Sequence, residues 1–157
     1  MTTSPDRRFL LAHPAHFLAL GFGTGLSPKA PGTVGTLVAF PLFWLLLESP
    51  LYWLWVGIFL AIGVWACGVA GRALGVHDHG GIVWDEVAAF LLVLPFAPVS
   101  LFGYVLAFAL FRLFDIWKPF PIGWLDARVK GGLGVMLDDV LAAVFSIACL
   151  MGVKLWM

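Results

Sequence analysis

Between Glu48 and Arg72 the chain carries no charged side chain, and the centre of that stretch, Leu51–Ala70, is 20 consecutive apolar or small residues. A helix rises about 1.5 Å per residue, so about 20 such residues cover the hydrocarbon layer of a bilayer. The rest of the chain agrees with this run. Hydrophobic residues make up 62% and charged residues 11% of the sequence, and the mean hydropathy is +1.01, whereas soluble domains carry about 25% charged residues. Such a chain cannot present a polar surface to water on all sides. The expected fold class is therefore all-α, an integral membrane helical bundle, because a helix satisfies its own backbone polar groups in lipid. A length of 157 residues suits a single membrane-embedded domain, 1–157.

The other apolar stretches are shorter or broken. Val34–Leu47 contains Pro41 and ends at Glu48-Ser49-Pro50, which reads as a turn. The uncharged run Val87–Phe111 is interrupted by Pro95 and Pro98. Proline lacks a backbone donor and clashes with the preceding turn, so this run reads as two helices, Val87–Pro98 and Leu101–Phe114, with a tight re-entry between them. Val140–Val153 is the last. The expectation is about four to five membrane-embedded helices. Paired as hairpins, they leave residues 1–33, 71–86 and 115–139 on one face. That face holds Arg7, Arg8, Lys29, Arg72, Lys118, Arg128 and Lys130, while Lys154 lies towards the other. An excess of Lys and Arg marks the cytoplasmic side. Trp44, Trp53, Trp55, Trp84, Trp117, Trp124 and Trp156 fall mostly near segment ends, where interfacial tryptophan is expected.

Several function classes drop out. The net charge is zero and no basic stripe exists, so nucleic acid is not an expected partner. Cys67 and Cys149 lie in apolar runs, which argues against a disulfide framework. His13, Pro14 and His16 break the apolar stretch that follows Arg7 and Arg8, and no small-residue cleavage site closes it. About the first 20 residues are read instead as a cytoplasmic or interfacial segment.

Three polar segments remain. In Gly21–Thr36, glycines and prolines argue against regular helix. Lys29, the hydroxyls of Thr24, Ser27, Thr33 and Thr36, and exposed backbone N–H groups offer a cradle for phosphate. A loop with turn glycines accounts for the same residues, and neither a Walker loop nor a dinucleotide fingerprint is present. In Gly75–Glu86, Asp85 and Glu86 stand at the start of an apolar helix, where the helix dipole alone favours acids. His77 and His79 flank Asp78 and read as surface histidines. In Arg112–Asp139, Asp115 falls at the end of a predicted helix, where a carboxylate opposes the dipole and capping does not explain it. Arg112 and Lys118 are each three residues away from it. Lys130-Gly-Gly-Leu-Gly134 reads as a second flexible loop, and Asp138 and Asp139 as the opening of the last helix.

Asp85, Glu86, Asp115, Asp138 and Asp139 would thus gather at one membrane face. Packed carboxylates repel and raise one another's pKa, and a divalent cation removes that cost. An all-oxygen set without a cysteine cluster suits Mg²⁺ rather than Zn²⁺. Mg²⁺ beside lysines and glycine-rich backbone is an inventory for phosphoryl chemistry. The GxSxG elbow of Ser/His/Asp hydrolases is absent.

Four motifs extend this reading. Gly21-Phe-Gly-Thr-Gly-Leu-Ser-Pro with the following Pro-Gly-Thr, Ile82-Val-Trp-Asp-Glu86, Phe114-Asp-Ile-Trp-Lys-Pro-Phe-Pro-Ile122 and Gly131-Gly-Leu-Gly-Val-Met-Leu-Asp-Asp139 resemble, in this order, the motifs of the phosphatidylglycerophosphatase A family. His77-Asp-His-Gly80 looks like the version found in Gram-negative members. The similarity covers roughly residues 17 to 150, with Ala89 standing where many members carry Gly. The resemblance implies an all-helical enzyme at the cytoplasmic side of the bacterial inner membrane. Its implied reaction is Mg²⁺-dependent hydrolysis of phosphatidylglycerophosphate to phosphatidylglycerol and phosphate.

The expected mechanism is metal-assisted hydrolysis. Asp85, Glu86, Asp138 and Asp139 hold Mg²⁺. Asp115 is a further ligand or the general base, Lys118 acts with Asp115 and Asp139 at the reacting phosphate, and Lys29, Thr33 and Lys130 bind phosphate oxygens. Spacing does not divide the roles of base, nucleophile and ligand among the acids. The rival readings are a related lipid phosphatase with another headgroup and a small membrane transporter subunit. A transporter places ionisable residues within its spans, whereas here they collect at the ends.

Overall fold

The computed structural model describes residues 4–156, and every regular element among them is helical. Two short helices, α1 (Arg7–Ala12) and α2 (Pro14–Ala19), lead into a 3₁₀ segment, Gly21–Leu26. Then follow α3 (Pro31–Leu37), α4 (Ala39–Leu46), α5 (Tyr52–Leu74), α6 (Trp84–Val93), α7 (Leu101–Trp117), α8 (Ile122–Arg128) and α9 (Gly131–Trp156).

Among the described residues two helices, α5 and α9, are long and apolar enough to cross a bilayer, against the four to five embedded helices expected. α5 has no charge until Arg72 and ends where Gly75 turns left-handed, at φ +73°. Its inner face is built of small residues, with Gly63, Ala66, Cys67, Gly68, Ala70 and Gly71 all buried. Small residues let helix backbones approach closely, and α9 lies against this face.

That packing corrects the reading of Lys130–Gly134 as a loop. α9 begins at Gly131, nine residues before the expected Val140. A Cβ on Gly132 would stand 1.9 Å from the carbonyl oxygen of Val64 and 2.7 Å from the amide nitrogen of Gly68. The glycines there serve contact between helices rather than flexibility. Asp138 and Asp139 therefore do not open the helix. They sit in its third turn, roughly 10 Å from its start at 1.5 Å per residue, and both are buried.

The segment after Gly21 also differs from expectation. Pro31 occupies the first turn of α3, a position where its missing N–H costs nothing. Thr33 and Thr36 are thus on a helix, not in a loop. The break expected at Pro41 falls three residues earlier, at Val38, because Pro41 has no N–H to bond the carbonyl four residues before it. The proline-interrupted run did divide as expected. α6 ends in a 3₁₀ turn, Leu94–Phe96, and α7 starts after Ser100, whose hydroxyl accepts from the Gly103 N–H at 3.0 Å.

Beyond Asp85 and Glu86 in its first turn, α6 is apolar all round its axis, and it sits at the centre, touching α2, α3, α4, α5, α7 and α9. Phe90 on α6 packs against Phe111 of α7 at a centroid distance of 5.2 Å and edge-on to Phe40 of α4 at 5.4 Å. Trp84 is core rather than interfacial: it is 2% exposed, and its indole N–H donates to the carbonyl of Phe59 at 3.0 Å. Trp44, Trp53, Trp55, Trp117 and Trp124 are exposed, as are Leu45, Leu54, Leu101 and Phe102.

Candidate active site

The polar segments converge at the end of the bundle where α5 stops, α6 and α9 start, and α7 stops. The amide of Val83, just before α6, donates to the carbonyl of Ala19 at 2.8 Å, tying α2 to the entry of α6. Asp85 and Glu86 follow in the first turn of α6, a turn that has no side-chain cap.

Glu86 is held from two sides. The Thr36 hydroxyl donates to its Oε2 at 2.8 Å, and Arg112 Nη1 meets the same oxygen at 2.7 Å. That Arg112 nitrogen also contacts Asp115 Oδ2 at 2.5 Å, so one guanidinium bridges two carboxylates across α6 and α7. Gly32 makes room for the arrangement, since a Cβ there would stand 2.2 Å from Glu86 Oε1. Residues 32 and 36 are one turn apart and share a face of α3. Thr36, not Thr33, is therefore the hydroxyl that reaches the acids.

A second pair forms beside the first. Lys118 ends α7 in a left-handed conformation, φ +46°, which is uncommon for a residue with a side chain. Its ammonium donates to Asp126 Oδ2 on α8 at 3.1 Å and to Asp138 on α9. Lys118 thus pairs with Asp138 rather than with Asp115, while Arg112 takes Asp115. Short α8, joined to α9 through Val129 and Lys130, brings Asp126 over this end of the bundle.

Among the described residues three buried carboxylate oxygens have no hydrogen-bond partner: Asp85 Oδ1, Asp138 Oδ1 and Asp139 Oδ2. Their side chains lie within each other's fields, and Asp139 feels Asp115, Asp85, Asp138 and Glu86. Burial pushes the Asp85 carboxyl well above its ordinary range, and repulsion from Glu86, Asp78, Asp138 and Asp115 adds to the rise. Burial likewise pushes Glu86 from 4.5 up to about 7, against the pull of Arg112, with Asp115 adding to the rise and the Thr36 hydrogen bond opposing it. Burial alone would lower the Lys118 pKa, but Asp138 and Asp126 hold it above the usual lysine range.

Buried acceptors without donors carry a desolvation cost of about 1–3 kcal/mol each. A hard cation ligated by oxygen relieves it, so the chemistry of the donor set fits Mg²⁺. Among the described residues, however, no three His, Cys, Asp or Glu side chains already form a closed ligand set.

The remaining expected phosphate ligands stand apart from the acids. Lys29 and Lys130 are exposed, and Lys130 donates to the backbone carbonyl of Asp126 at 3.2 Å. Thr33 is partly buried and, among the described residues, makes no side-chain hydrogen bond to the acid cluster. Arg112, Thr36 and Asp126 stand at the acids without a site role assigned from spacing. Thr36 is one of four hydroxyls that read as a phosphate cradle, Arg112 reads as an i to i+3 partner of Asp115, and nothing local marks Asp126.

Comparison with known proteins gives a consistent result. The family Phosphatidylglycerophosphatase A matches residues 17–154. A Phosphatidylglycerophosphatase A of Escherichia coli (strain K12) is 46% identical over 142 residues, 88% of this chain and 83% of that protein. The Haemophilus influenzae protein of the same name is 40% identical over 158 residues, 98% of this chain and 97% of its own. A Bacteroides thetaiotaomicron protein named provisionally as a phosphatidylinositol-3-phosphatase is 40% identical over 139 residues, 82% of this chain and 86% of that one. No solved structure matches the chain.

Proposed function

This chain belongs to the phosphatidylglycerophosphatase A family, and we propose that it is a Mg²⁺-dependent phosphatase converting phosphatidylglycerophosphate to phosphatidylglycerol and inorganic phosphate. The observation that carries the reading is the set of three unpartnered, buried carboxylate oxygens on Asp85, Asp138 and Asp139 beside the cations Lys118 and Arg112. Asp85, Glu86, Asp138 and Asp139 would hold the metal. When bound, Mg²⁺ supplies charge neutralisation at the phosphate and a more acidic water.

The side chains divide the remaining work. Arg112 fixes Glu86 and Asp115 relative to each other, so a carboxylate on α6 and one on α7 move as a unit. Arg112 occupies Asp115 Oδ2, which leaves that oxygen less open to an incoming water. Asp139, with a free Oδ2, is the better base. Lys118 presents its ammonium beside Asp138 and is the cation best placed for a phosphate oxygen. Water oxygen joins phosphorus, Asp139 accepts the proton that the water sheds, and the bond from phosphorus to the glycerol oxygen breaks. The glycerol oxygen takes up one proton, restoring the one passed to Asp139 by way of solvent water, and leaves as a hydroxyl. Lys29, Thr33 and Lys130 remain candidates for the outer phosphate oxygens as the substrate enters.

The same reading embeds the chain in the bacterial inner membrane as a multi-pass protein with this site facing the cytoplasm. Support comes from the apolar α5 and α9, from the apolar side chains exposed around the bundle, and from the basic residues near the acid end. Acyl chains then stay in lipid while the headgroup reaches the acids. The provisional name of the Bacteroides relative favours a second reading, in which the same site acts on another phosphorylated headgroup. The test is phosphate release from phosphatidylglycerophosphate by the purified protein, with Mg²⁺ and with excess chelator. Release only with Mg²⁺ supports the assignment. Near wild-type turnover in both D115N and D139N would sink the mechanism.

A further inference from the structure

A separate pocket of about 280 Å³ opens at the same end of the bundle, lined by Cys67, Gly68, Gly71, Arg72, His77 and Gly131 among others. None of the residues assigned to metal or phosphate lines it. Four of its eight lining residues are glycines, and its ionisable nitrogen-bearing side chains are one guanidinium and one imidazole. Arg72 folds back over the glycine face of α5, since a Cβ on Gly68 would stand 3.5 Å from its Nη1. Among the described residues Arg72 makes no ion pair. Both ring nitrogens of His77 are buried and, among the described residues, have no hydrogen-bond partner. An arginine in the last turn of a helix offsets the helix dipole, which accounts for the charge of Arg72 but not for the imidazole beside it.

The pocket adjoins the acid cluster. A Cβ on Gly134 would stand 3.3 Å from His77 Cε1, and Gly134 is one helical turn before Asp138 on α9. Buried Cys67, in the pocket wall, feels the charges of Asp85, Asp139 and Asp78. A ligand spanning both sites would put one anionic group at the acids and a second at Arg72.

We propose that Arg72 and His77 form a subsite for the phosphodiester of the lipid substrate, the group that links its glycerol headgroup to the diacylglycerol. The inference rests on the phosphatase reading and deepens it. The terminal phosphomonoester goes to the acid cluster with Mg²⁺, and the diester, which carries a single negative charge, is met by the Arg72 guanidinium and an imidazole N–H. Arg72 and His77 are positioning residues that hold the headgroup in register and reject phosphomonoesters lacking a diester. Arginine suits this task because its planar donors match two phosphate oxygens at once.

The test compares two ligands on the full-length protein in detergent. Short-chain phosphatidylglycerol carries the diester alone, and inorganic phosphate carries neither diester nor lipid. Binding of each is measured by calorimetry in the presence of Mg²⁺, and inhibition constants are measured where turnover allows. R72Q and H77A are expected to weaken phosphatidylglycerol about tenfold or more, as loss of a charge-assisted hydrogen bond does, and to change inorganic phosphate less than twofold. R72K is expected to recover part of the loss. Equal weakening of both ligands, or of neither, overturns the subsite. Should R72Q fail to fold, H77A decides by the same ratio. Failure of the wild-type protein to release phosphate counts against the phosphatase reading instead, and the calorimetric ratio still tests the pocket.

Discussion

Glu86→Gln isolates what it costs this fold to bury a carboxylate before any cation arrives. Burial pushes Glu86 from 4.5 up to about 7. Below pH 4.5 the folded and unfolded chains both carry the proton, and the group costs nothing. Between pH 4.5 and 7 the unfolded chain ionises first, so stability falls as pH rises. Above pH 7 the full penalty is in place, about 3 kcal/mol, because each tenfold gain in proton affinity is worth about 1.4 kcal/mol. Integrated between pH 5 and pH 8, the loss is about 2–3 kcal/mol. In E86Q this contribution is absent, while the amide still accepts from Thr36 and Arg112 keeps Asp115. The Glu86 charge is itself one cause of the raised Asp85 carboxyl, so E86Q also eases Asp85 and moves the difference between the two proteins in the same direction. Chelator-treated protein in dodecyl maltoside would be unfolded with SDS at pH 5 and pH 8 and followed by tryptophan fluorescence. The expected result is that wild type loses about 2–3 kcal/mol more than E86Q across this interval. Parallel losses, within about 0.5 kcal/mol, would show that the Glu86 carboxyl is not perturbed and that the cluster is solvated.

Other perturbations test the remaining parts. Replacing Lys118 by Gln strips Asp138 and Asp126 of their cation. It should cost about 1–3 kcal/mol of stability and about a hundredfold or more in phosphate release; a variant with wild-type turnover would remove Lys118 from the site. Gly132→Ala puts a methyl against the Val64 carbonyl. It should lose about 1–3 kcal/mol by overpacking, lowering turnover too because α9 carries Asp138 and Asp139. An unchanged melting temperature would contradict the close α5–α9 contact. Adding Mg²⁺ at about 100 times its Kd should stabilise the wild type by about 2.7 kcal/mol, and D139N by clearly less. Identical thermal curves with Mg²⁺ and with chelator would rule out a resident cation at these acids.

The sequence made the acids legible because charge is scarce in this chain: every carboxylate outside an apolar run is conspicuous. It also placed the division between α6 and α7 correctly, since proline acts on the backbone locally. What it did not show depends on tertiary packing. Gly131–Gly134 looks the same in sequence whether it is a loop or a helix pressed against Gly68, and only the partner helix decides. That ambiguity displaced the start of α9 and with it the depth of Asp138 and Asp139. Thr36 could not be preferred to Thr33 without knowing that Pro31 starts a helix. The partnership of Lys118 with Asp138 rather than Asp115 follows from the left-handed turn at Lys118, which no pattern in the chain announces. Lys29 and Lys130 attracted attention as lone cations in glycine-rich segments, yet both are exposed.

The acid cluster draws Thr36, Glu86, Arg112 and Asp138 from four distant stretches, and its deepest members ride on the last helix. A chain is synthesised from its N-terminus, so Asp138 and Asp139 leave the ribosome after every other helix of the bundle. A nascent chain halted after α7 and before α9 can form the Thr36–Glu86–Arg112 contacts but lacks Asp138 and Asp139, so the acid cluster stays incomplete. On the proposed function, a product truncated before α9 would lack two of the four proposed metal ligands and would not hydrolyse phospholipid.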